Sequence, residues 1–263
     1  MSTSYYKTEG LVFRIQDQFE ADRMFSVFTK DFGRLEILGR AIRKIDSKLR
    51  GGIDIFSLSR IEFIKGRNQK TLTDAVAQER FKNIYDSPEK LAIAYKVSNV
   101  IDDFIKGQEP DENIFNLVNE IFSKLNNYQL STTLPPHQKF HQNFGVGASY
   151  QLLYYYFLWN FIAFLGYRPE LFVCAFCQQK LNPYGLYFSK REGGIICKDC
   201  FNKKREGIKV NSSLVKILRL LIRKDWATVS RLKINKEIQQ LLDGVSEIYY
   251  QYLISHYSSK NVL

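Results

Sequence analysis

From residue 5 to about residue 80, apolar positions recur at every second residue in short runs separated by turn residues. In Tyr5 to Gln16, Leu11, Phe13 and Ile15 share one side of an extended chain, and Arg14 and Gln16 take the other. Met24 to Lys30 is rich in Phe and Val, a Lys30-Asp-Phe-Gly33 turn leads into Arg34 to Arg43, and Ile55 to Lys65 forms a further run. Gly66-Arg-Asn-Gln69 then closes a hairpin onto a fifth strand near Thr71 to Gln78. Five strands in so short a stretch predict a small barrel. The connection from Ala41 to Gly52 is long, basic and ends in two glycines, which predicts a flexible loop rather than a strand.

Beyond residue 80 the period lengthens to that of a helix. Ser87-Pro88 combines a capping oxygen with proline at the first helical position, and Leu91, Ala94, Val97, Val100, Ile101 and Phe104 carry a helix toward Gly107. Pro110-Asp111 opens another, with Ile114, Leu117, Val118, Ile121 and Leu125 on one face, and Ser131 to Pro136 breaks it. The stretch from Phe140 to Tyr167 has no charged residue and is long enough to span a membrane. Its Gln and Asn residues and three consecutive tyrosines favour a buried core helix instead. Further helices are predicted over Ser212 to Lys224, Asn235 to Leu242 and Val245 to Tyr257.

Charge adds a partner class to this outline. The 263 residues hold 38 Lys and Arg against 27 Asp and Glu, a formal net charge of +11, which points to a polyanionic partner. The surplus sits in two zones flanking a mildly acidic middle. One is the run from Arg40 to Arg50, with Arg40, Arg43, Lys44, Lys48 and Arg50 against Asp46; the other lies between Phe201 and Lys236. There Lys216, Arg219 and Arg223 form a helical stripe opposite Leu214, Ile217, Leu218 and Leu221. Arg14, Arg34 and the loop cations are candidates for phosphate neutralisation on a barrel, with Phe13, Phe25, Phe28 and Phe32 available to stack on bases. Barrel core is the competing role for each Phe, and a solvated surface for each cation.

All four cysteines fall in one constellation, Cys174-x2-Cys177 and Cys197-x2-Cys200, separated by 19 residues. Two C-x-x-C turns joined by a hairpin can aim four sulfurs at one point, the arrangement of a tetrahedral zinc site. Asn182 to Gly185, Leu186 to Ser189 and Glu192 to Gly194 supply turn, strand and turn between them. Two disulfides or a redox pair are the alternatives, and the expected cytoplasmic location disfavours the first. Four thiolates leave no position for water, so one structural Zn²⁺ is expected. His137-x3-His141 has helical ligand spacing but no acidic partner, which favours surface or packing roles. No nucleotide-binding, nucleophile-elbow or metalloprotease motif occurs, and Asp102-Asp103 face different directions on a helix. The reading is a binding protein rather than an enzyme. The N-terminal Met1 to Lys7 lacks the pattern of a secretory leader, and a cytoplasmic protein is expected.

Several of these residues resemble the recombination mediator family RecO. Thr8-Glu-Gly-Leu-Val-Phe-Arg14, Glu20-Ala-Asp-Arg23, Phe28-Thr29 and Gly33 are similar to that family's opening strands, and Phe56-Ser-Leu, Lys65-Gly-Arg-Asn and Leu72-Thr73 to its last barrel hairpin. Phe164-Leu-Gly-Tyr-Arg-Pro169, the four cysteines, Phe188-Ser189 and Gly193-Gly194 resemble its zinc region in the same order. Gln178 departs from the glycine that many members carry after the second cysteine. The resemblance implies an α+β fold: an OB-fold five-stranded β-barrel over 1–80, then an all-α domain over 81–263 with an inserted four-cysteine zinc finger at 174–200. It also implies binding of single- and double-stranded DNA, strand annealing, contact with the acidic C-terminal tail of single-strand binding protein, and RecA loading together with RecR, in the nucleoid and away from the membrane. A zinc-ribbon OB-fold module that binds RNA is the alternative reading.

Overall fold

The computed structural model describes residues 4–127 and 147–260, and the chain forms two compact units that divide after Gln129. The predicted break at Ser131 to Pro136 and the pair His137 and His141 lie outside the described residues.

In the N-terminal unit, strands β1 (Tyr5–Gln18), β2 (Asp22–Thr29), β3 (Gly33–Gly39), β4 (Ser57–Lys65) and β5 (Lys70–Arg80) close into a barrel in the order β1-β2-β3-β5-β4. Every pairing is antiparallel except β3 with β5, which is the connectivity of an OB-fold. Long β1 pairs with both β2 and β4, and its register against β2 shifts between Val12 and Arg14. That bulge breaks the alternation expected from sequence. Leu11, Val12 and Phe13 are all buried, because the kink lets β1 present apolar side chains to both sides. Val12 joins Phe25, Val27, Leu35, Ile37, Ile61, Phe63 and Leu72 in the barrel core.

Part of the outer face of the barrel is covered by helices. Helix α1 (Pro88–Phe104) starts at Ser87, whose side chain accepts from the Lys90 N–H, and α2 (Glu112–Asn127) starts at Asp111, whose carboxylate accepts from Ile114 N at 3.0 Å. Phe28 meets Phe115, while Phe56 and Phe81 both meet Phe122. The change of period at residue 80 is therefore a change of secondary structure. The compact unit continues through both helices, since they cover apolar barrel residues that would otherwise face water.

The connection from Ala41 to Gly52 is not a strand, as expected, but neither is it loose. Successive turns link Lys44 to Ala41, Ser47 to Lys44, Arg50 to Ser47 and Gly52 to Leu49, and Ile42 and Ile53 are buried in the barrel core. A Cβ on Gly52 would stand 1.8 Å from the Ala75 carbonyl oxygen. Gly52→Ala is accordingly expected to destabilise the N-terminal unit by about 2 kcal/mol, the cost of overpacking against backbone. Urea unfolding measures it, and Gly51→Ala, where nothing lies within 4 Å, is the control.

The C-terminal unit is built around α3 (Gly147–Phe164), in which Tyr156, Phe157, Trp159 and Phe161 are fully buried. Most of its polar groups have partners: Trp159 Nε1 donates to Ser246, Asn160 Nδ2 to the Leu221 carbonyl, and the Tyr156 hydroxyl to the Lys224 carbonyl, while Asn160 Oδ1 is buried without a donor among the described residues. No helix among the described residues is long and apolar enough to cross a membrane. A small antiparallel sheet follows, β6 (Leu186–Ser189) between β7 (Gly194–Cys197) and β8 (Ile208–Val210), with α4 (Lys198–Lys204) in the chain between β7 and β8. The unit is thus helical with a three-stranded insertion, of which β8 lies beyond the last cysteine. Helices α5 (Ser212–Ile222), α6 (Trp226–Val229) and α7 (Lys236–Lys260) complete it. The two helices expected from 235 and 245 are one. Gly244 does not interrupt α7, because Leu242, Val245, Tyr249 and Leu253 bury one face and outweigh the roughly 1 kcal/mol that a helical glycine costs.

Candidate functional site

On the barrel, the sequence-predicted cations divide into two groups. Arg34 is mostly buried: its guanidinium donates to Glu36 and to the carbonyls of Asp102 and Ile105, and Nη1 also lies 2.7 Å from the Asp102 carboxylate. It also sits over the Phe13 ring. Arg14 pairs with the other oxygen of Asp102 at 2.7 Å. Asp102 thus pairs with two candidate cations and ties α1 to the barrel. Arg34 is a clamp of the fold rather than a free phosphate ligand, because its donors are already spent.

Arg40, Arg43, Lys44, Lys48 and Arg50 are all exposed. Among the described residues only Arg43 of these makes an ion pair, a loose one at 3.6 Å to Asp17. The hydrogen bond from Arg23, against some burial and with help from the charges of Arg23 and Arg43, holds the Asp17 carboxyl below the usual range. The loop is held at its start by Ala41 N donating to the Asp22 carboxylate and Arg43 N to the Ala21 carbonyl. Its far end borders an open groove of about 570 Å³ lined by Lys48, Gly51, Gly52, residues 75–78, Arg80 and Lys82. Arg80 donates to the Gly51 carbonyl. Arg80 and Lys82 were not candidates from sequence. They lie some 30 residues beyond the loop in the chain, and no local pattern marks the approach of the end of β5.

The four candidate base-stacking phenylalanines serve the core instead: Phe13, Phe25 and Phe28 are buried, and Phe32 packs against the barrel cluster. This is the outcome expected of a small barrel, which needs its aromatics for packing.

In the C-terminal unit the four cysteines converge. Their Sγ atoms all lie within 4.8 Å of one another, and Cys177 and Cys197 are 4.0 Å apart. A tetrahedron with Zn–S bonds of about 2.3 Å has edges of about 3.8 Å, so the four side chains fit one metal. Two disulfides would instead bring the sulfurs together in pairs at about 2.05 Å. The first knuckle is shaped by Gln178 N donating to the Cys174 carbonyl and Cys174 N to the Gln179 carbonyl. Gln178 takes φ 61°, the left-handed conformation that glycine adopts without strain, so the departure from the family's glycine keeps the turn. The second knuckle runs from β7 into α4. The two are joined by Ala175 N donating to the Ile195 carbonyl, and by close contact at Gly194, where a Cβ would stand 2.2 Å from the Glu170 carbonyl oxygen.

The thiols do not titrate alike. Burial opposes ionisation of Cys174, but N–H groups of Cys177, Cys197 and Phe176 outweigh it and bring it down to about 6. Burial and the neighbouring thiols push Cys200 up. Four sulfurs at this spacing favour a bound cation, since repulsion among bare thiolates keeps some of them protonated. Of the expected helical stripe, Lys216 on α5 and Arg223 at its C-terminal cap are exposed. Arg219 is not available in the same way: Nε and Nη2 both donate to the Leu171 carbonyl, at 3.0 and 2.5 Å, beside the first knuckle.

Comparison with known proteins converges on one family. The family description Recombination protein O N terminal matches residues 1–81, the span of the barrel, and Recombination protein O C terminal matches residues 142–261. The chain belongs to the RecO family of DNA repair proteins. A protein named DNA repair protein RecO from Dehalococcoides mccartyi (strain ATCC BAA-2266 / KCTC 15142 / 195) is 32% identical over 238 residues, covering 90% of this chain and 86% of that protein. RecO from Alkaliphilus metalliredigens (strain QYMF) is 26% identical over 257 residues, covering 97% and 95% respectively. The RecO match to both units agrees with an OB barrel and a four-cysteine centre occurring in one chain.

Proposed function

We propose that this chain is a recombination mediator: it binds single- and double-stranded DNA, anneals complementary strands, and acts with RecR to load RecA onto DNA coated by single-strand binding protein. The observation that carries the reading is the exposed cationic rim of the OB barrel. Arg40, Arg43, Lys44, Lys48 and Arg50 line one continuous loop, and Arg80 and Lys82 continue the charge across the adjoining groove. Such a rim neutralises phosphates without reading base edges, which leaves the bases free to pair. Lys216 on α5 and Arg223 at its C-terminal cap add cations in the other unit. Contacts with RecR and with the acidic tail of single-strand binding protein are supported by membership of the family. The work is binding rather than bond chemistry, carried out on nucleoid DNA in the cytoplasm.

One structural Zn²⁺ completes the reading, held by Cys174, Cys177, Cys197 and Cys200. When bound it crosslinks the two knuckles; the protein side chains position the sulfurs and the β6-β7 hairpin keeps them in place.

The test mixes the purified protein with complementary single strands coated by single-strand binding protein and follows duplex formation. Accelerated annealing is the expected result. Unaltered annealing, together with tighter binding of structured RNA than of single-stranded DNA, would replace this reading by that of an RNA-binding module.

A further inference from the structure

The cysteine centre carries a surface feature that its metal-holding role does not use. Among the described residues of the C-terminal unit, the large apolar side chains standing exposed are Phe172, Phe176, Tyr184 and Ile248. Three of the four therefore fall within one short stretch around the first two cysteines. Scattered exposed apolar residues are ordinary, but a cluster of aromatic rings is not.

Two of the three rings are accompanied by a cation. The Arg219 guanidinium, fixed by its two bonds to the Leu171 carbonyl, lies 4.7 Å from the Phe172 ring centroid. Lys204 Nζ lies 4.1 Å from the centroid of Phe176. Tyr184 is 87% exposed at the tip of the loop before β6, where its N–H donates to Asn182 Oδ1, and the next residue, Gly185, packs against the Lys198 stem. Lys198 and Lys204 mark the two ends of α4, about 9 Å apart along its axis. Phe176 thus meets the C-terminal end of this short helix, and the turn just after Tyr184 meets its N-terminal end. Lys180 and Lys203 are exposed alongside. Glu192 and Glu206 face Lys204 and Arg191 in ion pairs, and Asp199 is the one acidic residue on α4, so Lys180, Lys198 and Lys203 leave the region with a surplus of positive charge.

We propose that Phe176 and Tyr184, with Lys180, Lys198, Lys203 and Lys204 around them, form a second single-strand contact on the cysteine knuckle, in which the rings stack on unpaired bases and the lysines neutralise the flanking phosphates. Phe172, backed by Arg219, lies four residues before Phe176 in the same stretch. A cation on one side of Phe172 and of Phe176 restrains the ring and leaves the other face open, Tyr184 is open to solvent, and open rings with nearby positive charge are what a sequence-tolerant single-strand site requires. An acidic peptide would use the same charges, but its anchoring side chains need a concave pocket, and a ring as exposed as Tyr184 does not line one. This inference rests on the nucleic-acid-binding reading above and adds to the barrel rim a contact that depends on bases.

The test uses the full chain and compares two strands of equal length, oligo(dT) and an abasic strand with the same phosphates, by fluorescence anisotropy. The double variant Phe176→Leu/Tyr184→Ser removes both rings while keeping an apolar side chain at 176. It is expected to lose roughly 10- to 100-fold in affinity for oligo(dT), as base-stacking losses by substitution do, and to bind the abasic strand like the parent. The conservative variant Phe176→Tyr/Tyr184→Phe should bind as the parent does, which guards against a folding artefact. Equal losses on both strands, no loss on oligo(dT), or a loss confined to an acidic peptide would overturn the proposal. Arg43→Glu/Lys44→Glu should weaken both strands alike, so failure of the barrel reading and failure of this one give different results.

Discussion

Reversing Arg43 and Lys44 to glutamate is expected to lower affinity for single-stranded DNA on the order of 10- to 100-fold near physiological salt, and to flatten its salt dependence. Each phosphate contact on a single strand contributes a slope of about 0.7 in log K against log salt, so loss of two contacts should reduce it by about 1.4. Both side chains are exposed, and neither forms part of the barrel core. Stability should therefore change little, as is usual for surface substitutions. Arg34→Ala makes the contrast. Its guanidinium is engaged with Glu36, Asp102 and the Ile105 carbonyl, so its loss should destabilise the N-terminal unit by about 2 kcal/mol and leave the salt slope unchanged. A salt titration of binding beside a urea titration of each variant measures both quantities. Unchanged slope in the loop variant would remove the loop from the DNA site.

Cys197→Ser should have the second large effect. The variant takes away one of four converging sulfurs and leaves the others without the geometry that holds a tetrahedral metal. Elemental analysis should return about one zinc per parent chain and much less per variant chain. Because metal binding to such a site is folding free energy, the C-terminal unit should lose on the order of 3–4 kcal/mol, or about 10 °C in Tm. A chelator strong enough to strip the parent should produce the same shift, and added Zn²⁺ should reverse it. A metal-free parent with unchanged Tm would overturn the zinc assignment. The serine also removes a thiol from the cluster that faces Cys200 across the knuckle, so treatment with a thiol reagent separates the two effects. In the metal-loaded parent all four sulfurs should be protected, whereas the stripped protein should react at Cys177, the exposed one.

Much of the outline was legible because it is local. The five strands, the two helix starts at Ser87 and Asp111, and the paired C-x-x-C turns are written in period, caps and spacing over fewer than about 30 residues each. The α5 stripe was equally legible as a pattern, yet pattern did not separate Arg219 from Lys216 and Arg223, since its bonds go to a carbonyl 48 residues away. Arg14 and Arg34 show the same limit: both read as barrel cations, and both meet Asp102 on a helix that begins only after the barrel ends.

The chain by itself thus determined a small barrel, a helical region after it, a four-sulfur centre and a cationic loop, because backbone periodicity, capping and ligand spacing act between near neighbours. The tertiary structure alone decided that a bulge in β1 lets one strand face two layers, that α1 and α2 belong to the barrel's unit, and which cations are clamped and which are free. The physical reason is that a guanidinium's availability depends on which carboxylates and carbonyls the fold brings to it, and those partners lie tens of residues away. It also placed the cationic neighbours of Phe172 and Phe176, residues that sequence marked only as lying in or beside the cysteine segment.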